Sequence, residues 1–196
     1  MNKLNKENLK AAVLGHAVGD ALGVPVEFRL RSYLKGHPVT GMIGWGTYGL
    51  PPGTYSDDTA LSLCLLEALQ KEPFELSYLA NLFLKWKSEA YWTATDDVFD
   101  IGLSTSSAIQ NIKIGKSPVK CGGYTIDSNG NGSLMRILPL AFYIRNFDLG
   151  TRYQYIKSVS SITHAHYISV FACFIYVELA IELINGNNIL DGYKSA

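Results

Sequence analysis

The chain has 196 residues, which suits one domain of ordinary size, and its 47% hydrophobic content excludes a disordered polymer. Its 17 basic and 17 acidic residues cancel, so nothing in the bulk charge favours nucleic acid or an anionic membrane. Cys64, Cys121 and Cys173 form no C-x-x-C pair and residues 1–8 are too polar for a secretory signal, so the expected setting is reducing and cytoplasmic.

The first helical pattern covers 9–22, and Gly15, Gly19 and Gly23 recur on one stripe of it. Each glycine costs about 1 kcal/mol in a helix interior, so close approach of another helix is the expected compensation. Pro25 ends the helix and leaves Glu27 in the loop beyond. Residues 35–55 then hold six glycines and three prolines, with Trp45, Tyr48 and Tyr55 among them. A connection this long commonly serves as a lid or binding loop.

Ser56-Asp57-Asp58-Thr59 stands where that loop becomes the apolar run 60–69. Two carboxylates and two hydroxyls are thereby gathered on the first turn of a helix. Such hard oxygen donors suit Mg²⁺ or Ca²⁺. The alternative is capping, with Ser56 as N-cap and both aspartates against the positive end of the helix dipole.

Further helices are predicted over 57–70, 75–91, 97–113, 132–144, 151–162 and 165–185. Thr95-Asp96-Asp97 imitates the acidic motif but lacks a glycine-rich loop, and reads as a helix cap. Asp100 reads as a buried orienting carboxylate on an apolar helix. Gly130-Asn131-Gly132-Ser133-Leu134-Met135-Arg136 is a loop-to-helix junction, which either presents backbone N–H groups to a phosphate or merely turns the chain.

Thr163-His164-Ala165-His166 opens the last predicted helix. Imidazoles two positions apart point to different sides, which argues against zinc. His164 either contacts a ligand or lies at the surface beside a capping Thr163. The apolar stretch 168–184 is shorter than the roughly 20 residues that span a bilayer and carries Glu178 and Glu182. It reads as a core helix with one wet stripe. The expected organisation is a single, mostly helical domain over 1–196, with neither a nucleic-acid nor a membrane partner.

Taken in order, these stretches resemble the ADP-ribosylglycohydrolase family, the group that includes the dinitrogenase-reductase-activating glycohydrolases. Residues 15–27, Gly-His-Ala-Val-Gly-Asp-Ala-Leu-Gly-Val-Pro-Val-Glu, are similar to its opening helix and following glutamate. Pro52-Gly53-Thr54-Tyr55-Ser56-Asp57-Asp58-Thr59 is similar to its Pro-Gly-x-x-Thr-Asp-Asp-Thr segment, with Ser56 replacing the usual Thr. Phe99-Asp100-Ile101-Gly102, the Asn131 to Arg136 stretch and Thr163-His164 match three further signatures.

The resemblance implies an all-α fold, a compact orthogonal multi-helix bundle. It implies a Mg²⁺-dependent hydrolase that cleaves the N- or O-glycosidic bond of ADP-ribosylated protein or of a small ADP-ribose derivative. By the same resemblance, Ser56, Asp57 and Asp58 bind Mg²⁺ in a two-metal site, and Glu27 and Asp58 are the catalytic carboxylates. Gly130, Asn131, Gly132, Ser133, Leu134, Met135, Arg136 and His164 contact the ADP-ribose. Cleavage at the ribose anomeric carbon develops oxocarbenium character, which nearby carboxylates stabilise.

One family feature has no counterpart. An Asp-x-Asp-Thr segment supplies much of the second half of the metal site in family members, and none follows His166; Asp191 has no neighbouring carboxylate. The chain therefore resembles the front two-thirds of that fold. Weakened Mg²⁺ binding, inactivity of this chain alone, and self-association or a C-terminal partner fragment over uncovered apolar faces are expected. The rival readings are a non-catalytic module that binds ADP-ribose or a related nucleotide, and half of a split protein.

Overall fold

A computed structural model describes residues 3–195. Among them are nine α-helices and three short 3₁₀ turns, with no strand beyond an isolated bridge between Gly123 and His164. The all-α expectation holds. Helix α1 (Lys3–Gly23) leads through a 3₁₀ turn, Val24–Val26, to Glu27. Helix α2 (Arg31–Gly36) has no buried residue.

Helix α3 (Asp57–Ala68) runs through the centre, with Leu61, Cys64, Leu65 and Ala68 fully enclosed. It packs against α1, α4 (Leu76–Glu89) and α6 (Leu138–Ile144). Helix α4 turns Leu79, Phe83 and Trp86 inward, the i, i+4, i+7 spacing of an amphipathic helix. It also supports α5 (Leu103–Lys113). Helix α8 (Tyr167–Ile184) packs on α6, α7 (Leu149–Ser161) and α9 (Ile189–Ser195). Leu61, Leu65, Phe83, Trp86, Ile109, Leu140 and Ile156 belong to one cluster. Each such buried side chain stabilises the fold by about 1.5–3 kcal/mol.

Several boundaries differ from the sequence pattern, each for a local reason. The helix predicted over 97–113 begins at Leu103, because Asp96 (φ 55°) and Asp100 (φ 58°) take the left-handed conformation that Asp tolerates. Thr95-Asp96-Asp97 therefore caps no helix, and Asp100 sits in a loop. The helix predicted over 132–144 begins at Leu138. Residues 131–135 form one turn, closed by the Met135 N–H donating to the Asn131 carbonyl at 3.0 Å. Pro139 has no N–H with which to continue that ladder. Helices α2 and α9 were not anticipated; six and seven residues are too short to show periodicity.

The wet stripe expected on α8 is also differently built. Glu178 is buried and receives Arg152 through two nitrogens, at 2.8 Å and 2.6 Å. The exposed stripe of α8 is apolar instead: Tyr167, Phe171 and Ile175 are 72%, 55% and 41% exposed. By length and composition alone, Lys6–Val26 and Tyr167–Ile184 are apolar enough to cross a membrane. Arg152→Ala is expected to lower stability by about 3 kcal/mol, since it strands Glu178 in the interior. Urea unfolding checks this, and Glu178→Gln in the Arg152→Ala background should recover part of the loss.

Candidate active site

Asp20, on the last turns of α1, organises the site. Its carboxylate accepts the Ser56 N–H at 3.0 and 3.1 Å, the Ser56 hydroxyl at 2.8 Å, the Thr59 N–H at 3.0 Å and the Thr59 hydroxyl at 2.6 Å. It thus ties the start of α3 to α1 and serves the N-terminal N–H groups that a helix leaves unpaired. Ser56 is the N-cap of α3, and its hydroxyl also lies 3.4 Å from the Asp58 N–H and from Asp58 Oδ2.

These groups open onto a cleft of 560 Å³. Glu27, Ser56, Asp58 and Asp100 line it, with Asp20 and His16 from α1 and Asn131 opposite. Gly15, Gly19 and Gly23 form the α1 side of the cleft, and a Cβ at any of them would meet nothing within 4 Å. Among the described residues no helix approaches that stripe as expected; the glycines face open space.

The loop after Glu27 is held down by the long glycine-rich connection. Thr47 donates its N–H to the Pro25 carbonyl at 3.0 Å and its hydroxyl to the Glu27 carbonyl at 2.6 Å. Gly46 lies so close that a Cβ would stand 1.9 Å from the Pro25 oxygen, so only glycine fits there. Tyr48, tilted against Phe99 at 5.0 Å, donates its hydroxyl to Glu27 Oε2 at 2.8 Å.

The electrostatics are dominated by negative charge. Burial, opposed by the Tyr48 hydrogen bond and reinforced by Asp100 and Asp58, raises Glu27 to about 7. Burial, then the charges of Asp100, Asp58, Asp20 and Glu27, raises Asp57 to about 8. Asp58 is raised by burial and Asp20, with His16 acting the other way. Tyr48 is pushed up by burial and by both carboxylates. Among the described residues no Lys or Arg forms an ion pair with any of these acids.

The sequence-predicted residues divide into three groups. Ser56, Asp58, Glu27 and Asn131 meet at the cleft. Asp57 is buried and lines an adjacent crevice with Trp86, Val98 and Phe99. The rest of the 130–136 stretch turns away from the cleft. Ser133 is enclosed beside Ser160 and Cys173, and Leu134 and Met135 pack on the core.

Arg136 is fully buried over the Phe83 ring at 4.7 Å. It donates to the Gly132 carbonyl and, at 3.4 Å, to that of Val159, and burial pushes it down to about 10. His164 is enclosed next to Gly130 and Gly132, where a Gly132 Cβ would stand 2.7 Å from its ring. Burial, then Arg136, lowers His164 to about 4, so it supports the loop as a neutral ring. Asp20, Asp100 and Tyr48 were missed as site residues. The signals available were Asp20 at i, i+4 from His16 beside the glycine stripe, and Asp100 within Phe99-Asp100-Ile101-Gly102.

The donor set suits a hard dication: it is all oxygen, carries excess negative charge and, among the described residues, is paired with no Lys or Arg. Ser56, Asp57, Asp58, Glu27 and Asp100 could contribute oxygens. Among the described residues, no three His, Cys, Asp or Glu side chains form a ready-made ion cage, so water would complete the shell.

Comparisons with known proteins bear on the family and the fold. A family model described as ADP-ribosylglycohydrolase matches residues 1–196. The chain is 30% identical over 181 residues to the ADP-ribosylarginine hydrolase Tri1 of Pseudomonas putida (strain GB-1), covering 92% of this chain and 47% of that protein. It is 29% identical over 181 residues to the ADP-ribosyl-[dinitrogen reductase] glycohydrolase of Rhodospirillum rubrum, covering 91% and 58%. A solved structure described as an ADP-ribosylglycohydrolase-related protein complex superposes with TM-score 0.81 at 28% identity, over 98% of this chain and 62% of that one. The chain spans about half the length of the curated relatives it matches.

Proposed function

The chain belongs to the ADP-ribosylglycohydrolase family, and on that premise we propose that its acidic cleft takes ADP-ribose and serves hydrolysis of the bond from ribose to a protein side chain or small leaving group. The observation that supports this is the meeting of Glu27, Asp58 and Asp100 around one cleft, where no Lys or Arg among the described residues pairs with them. Carboxylates so placed stabilise the positive charge that develops on ribose as the glycosidic bond breaks.

Glu27, raised to about 7 and fixed by Tyr48, exchanges a proton near neutral pH. In the proposed reaction water adds to the anomeric carbon while the bond to the leaving nitrogen or oxygen breaks. Glu27 accepts the water's proton, and the leaving atom takes one from solvent, to which Glu27 afterwards returns its own. Ser56, Asp57 and Asp58 are the residues proposed to hold Mg²⁺, which when bound supplies positive charge that orients the ribose hydroxyls. Asn131 lines the same cleft, which supports its proposed contact with the rest of the nucleotide. A reducing, cytoplasmic setting is proposed on the three free, buried cysteines.

A second reading, a module that binds ADP-ribose without cleaving it, draws support from the lack of a ready-made ion cage. Calorimetric titration with ADP-ribose, with and without Mg²⁺, separates the two. Binding that strengthens with Mg²⁺, together with release of ADP-ribose from a modified arginine peptide, supports the hydrolase. Binding indifferent to Mg²⁺ and without turnover supports the module, and no binding rejects both.

A further inference from the structure

Between Glu27 and Asp57 the chain has no acidic residue, yet it carries Arg29, Arg31 and Lys35. The same stretch holds bulky side chains in the open: Phe28 is 79%, Leu30 74%, Tyr33 50% and Trp45 71% exposed. Tyr33 stacks on His37 with ring centres 4.5 Å apart, and the Arg29 guanidinium lies 5.9 Å from the Tyr33 ring. This basic, aromatic segment adjoins an acidic cleft on a chain whose net charge is zero.

Backbone geometry adds a second observation. Phe28 (φ 60°) and Trp45 (φ 59°) both take the left-handed conformation, which bulky residues rarely adopt. Strain of this kind persists only where surrounding structure imposes it. Phe28 directly follows Glu27. Trp45 stands two residues before Thr47, which grips the Glu27 and Pro25 carbonyls. The clamp that fixes the catalytic carboxylate therefore also fixes two outward aromatics beside it.

We propose that Phe28, Trp45, Arg29 and Arg31 form a docking rim for a protein substrate, one whose ADP-ribosylated side chain is flanked by acidic residues. This rests on the reading of the cleft as an ADP-ribose site and narrows it: the substrate is modified protein, not a small ADP-ribose derivative. The rim is continuous with the cleft through the Glu27–Phe28 peptide, and its charge complements acidic flanks. Exposed aromatic and Arg side chains are the types that dominate protein contacts. Long-range attraction to the basic rim draws the acidic flanks in, and the aromatics cover the polypeptide while ADP-ribose enters the cleft.

The test compares free ADP-ribose, an arginine-ADP-ribosylated peptide with acidic flanks, the same peptide with lysine flanks, and the unmodified acidic peptide. Binding to the whole chain is read by calorimetry and by Trp45 fluorescence. The acidic modified peptide should bind about tenfold tighter than free ADP-ribose, the lysine-flanked one no tighter. Trp45→Ser combined with Arg29→Ser and Arg31→Ser should remove that margin and leave ADP-ribose affinity unchanged. Circular dichroism confirms that the variant, altered only at exposed positions, is folded.

Equal affinity for peptide and free ADP-ribose, or a variant that keeps the margin, overturns the rim. So does a dimer that dissociates in the variant, or binding to anionic vesicles in place of peptide. Loss of ADP-ribose binding with the unmodified acidic peptide still bound at the rim would reject the cleft reading alone. Loss of both rejects both.

Discussion

Asp20→Ala is expected to lower the unfolding free energy by about 3 kcal/mol, because hydrogen bonds to a charged acceptor contribute about 1.5–3 kcal/mol each and stranded donors add a desolvation cost. Four donors from Ser56 and Thr59 lose their acceptor together. Part of the loss is offset, since Asp20 also repels Asp57 and Asp58. The offset is smallest near pH 5, where those carboxyls hold more protons, so the measured loss should be largest there. Urea unfolding at pH 5 and pH 8 checks both statements. A loss below about 1 kcal/mol at pH 5 would show that the start of α3 does not depend on this carboxylate.

Asp57→Asn should do the reverse to the fold while removing the response to Mg²⁺. Asp57 is raised to about 8 and Glu27 to about 7, whereas in the unfolded chain they titrate at about 3.9 and 4.3. A carboxyl whose folded pKa is raised contributes stability below its unfolded pKa, and that contribution is lost as pH climbs to the folded value. Without metal, the wild-type protein should therefore lose stability steadily between about pH 4 and pH 8.

The neutral amide of the Asp57→Asn variant removes the largest part of that loss. The metal-free thermal midpoint at pH 8 should rise by about 3 °C, equal to about 1 kcal/mol. Mg²⁺ should raise the wild-type midpoint more at pH 8 than at pH 5, and should leave the variant unmoved. Scanning calorimetry across pH, with and without Mg²⁺, measures all of this. A variant less stable than wild type at pH 8, or one still stabilised by Mg²⁺, would count against a cation site at α3.

The parts of the site that were legible in the sequence are those written locally. Asp57 and Asp58 sit at a loop-to-helix boundary that composition marks clearly, and Pro25 marks the end of α1 just before Glu27. Asp20 was hidden because its one local signal, the i, i+4 spacing from His16, is weak, and its partner Ser56 lies 36 positions away. Tyr48 was hidden, and Asp100 was read as an orienting carboxylate on a helix, for a related reason: both depend on irregular backbone, φ 58° at Asp100, that no periodicity encodes.

The 130–136 stretch shows the opposite error. Its glycines announced a helix start, but Pro139 delays the helix, and Arg136 points inward although Arg is seldom fully enclosed. Three carbonyl and ring contacts hold it there, each made to a distant or irregular segment. The all-α architecture itself was readable: α4 carries a clear apolar face, and α3 and α8 are long apolar runs without glycine or proline.

The bare wall of α1 bears on how this protein can be altered. An alanine at position 19 would encounter no neighbouring atom and would gain about 1 kcal/mol of helix propensity, so Gly19→Ala should melt later than wild type. The added methyl group would instead occupy room in the cleft, where a ligand's atoms belong. Hardening this helix and keeping its guest are thus opposed aims, and a thermostable variant made along that stripe should bind ADP-ribose less well.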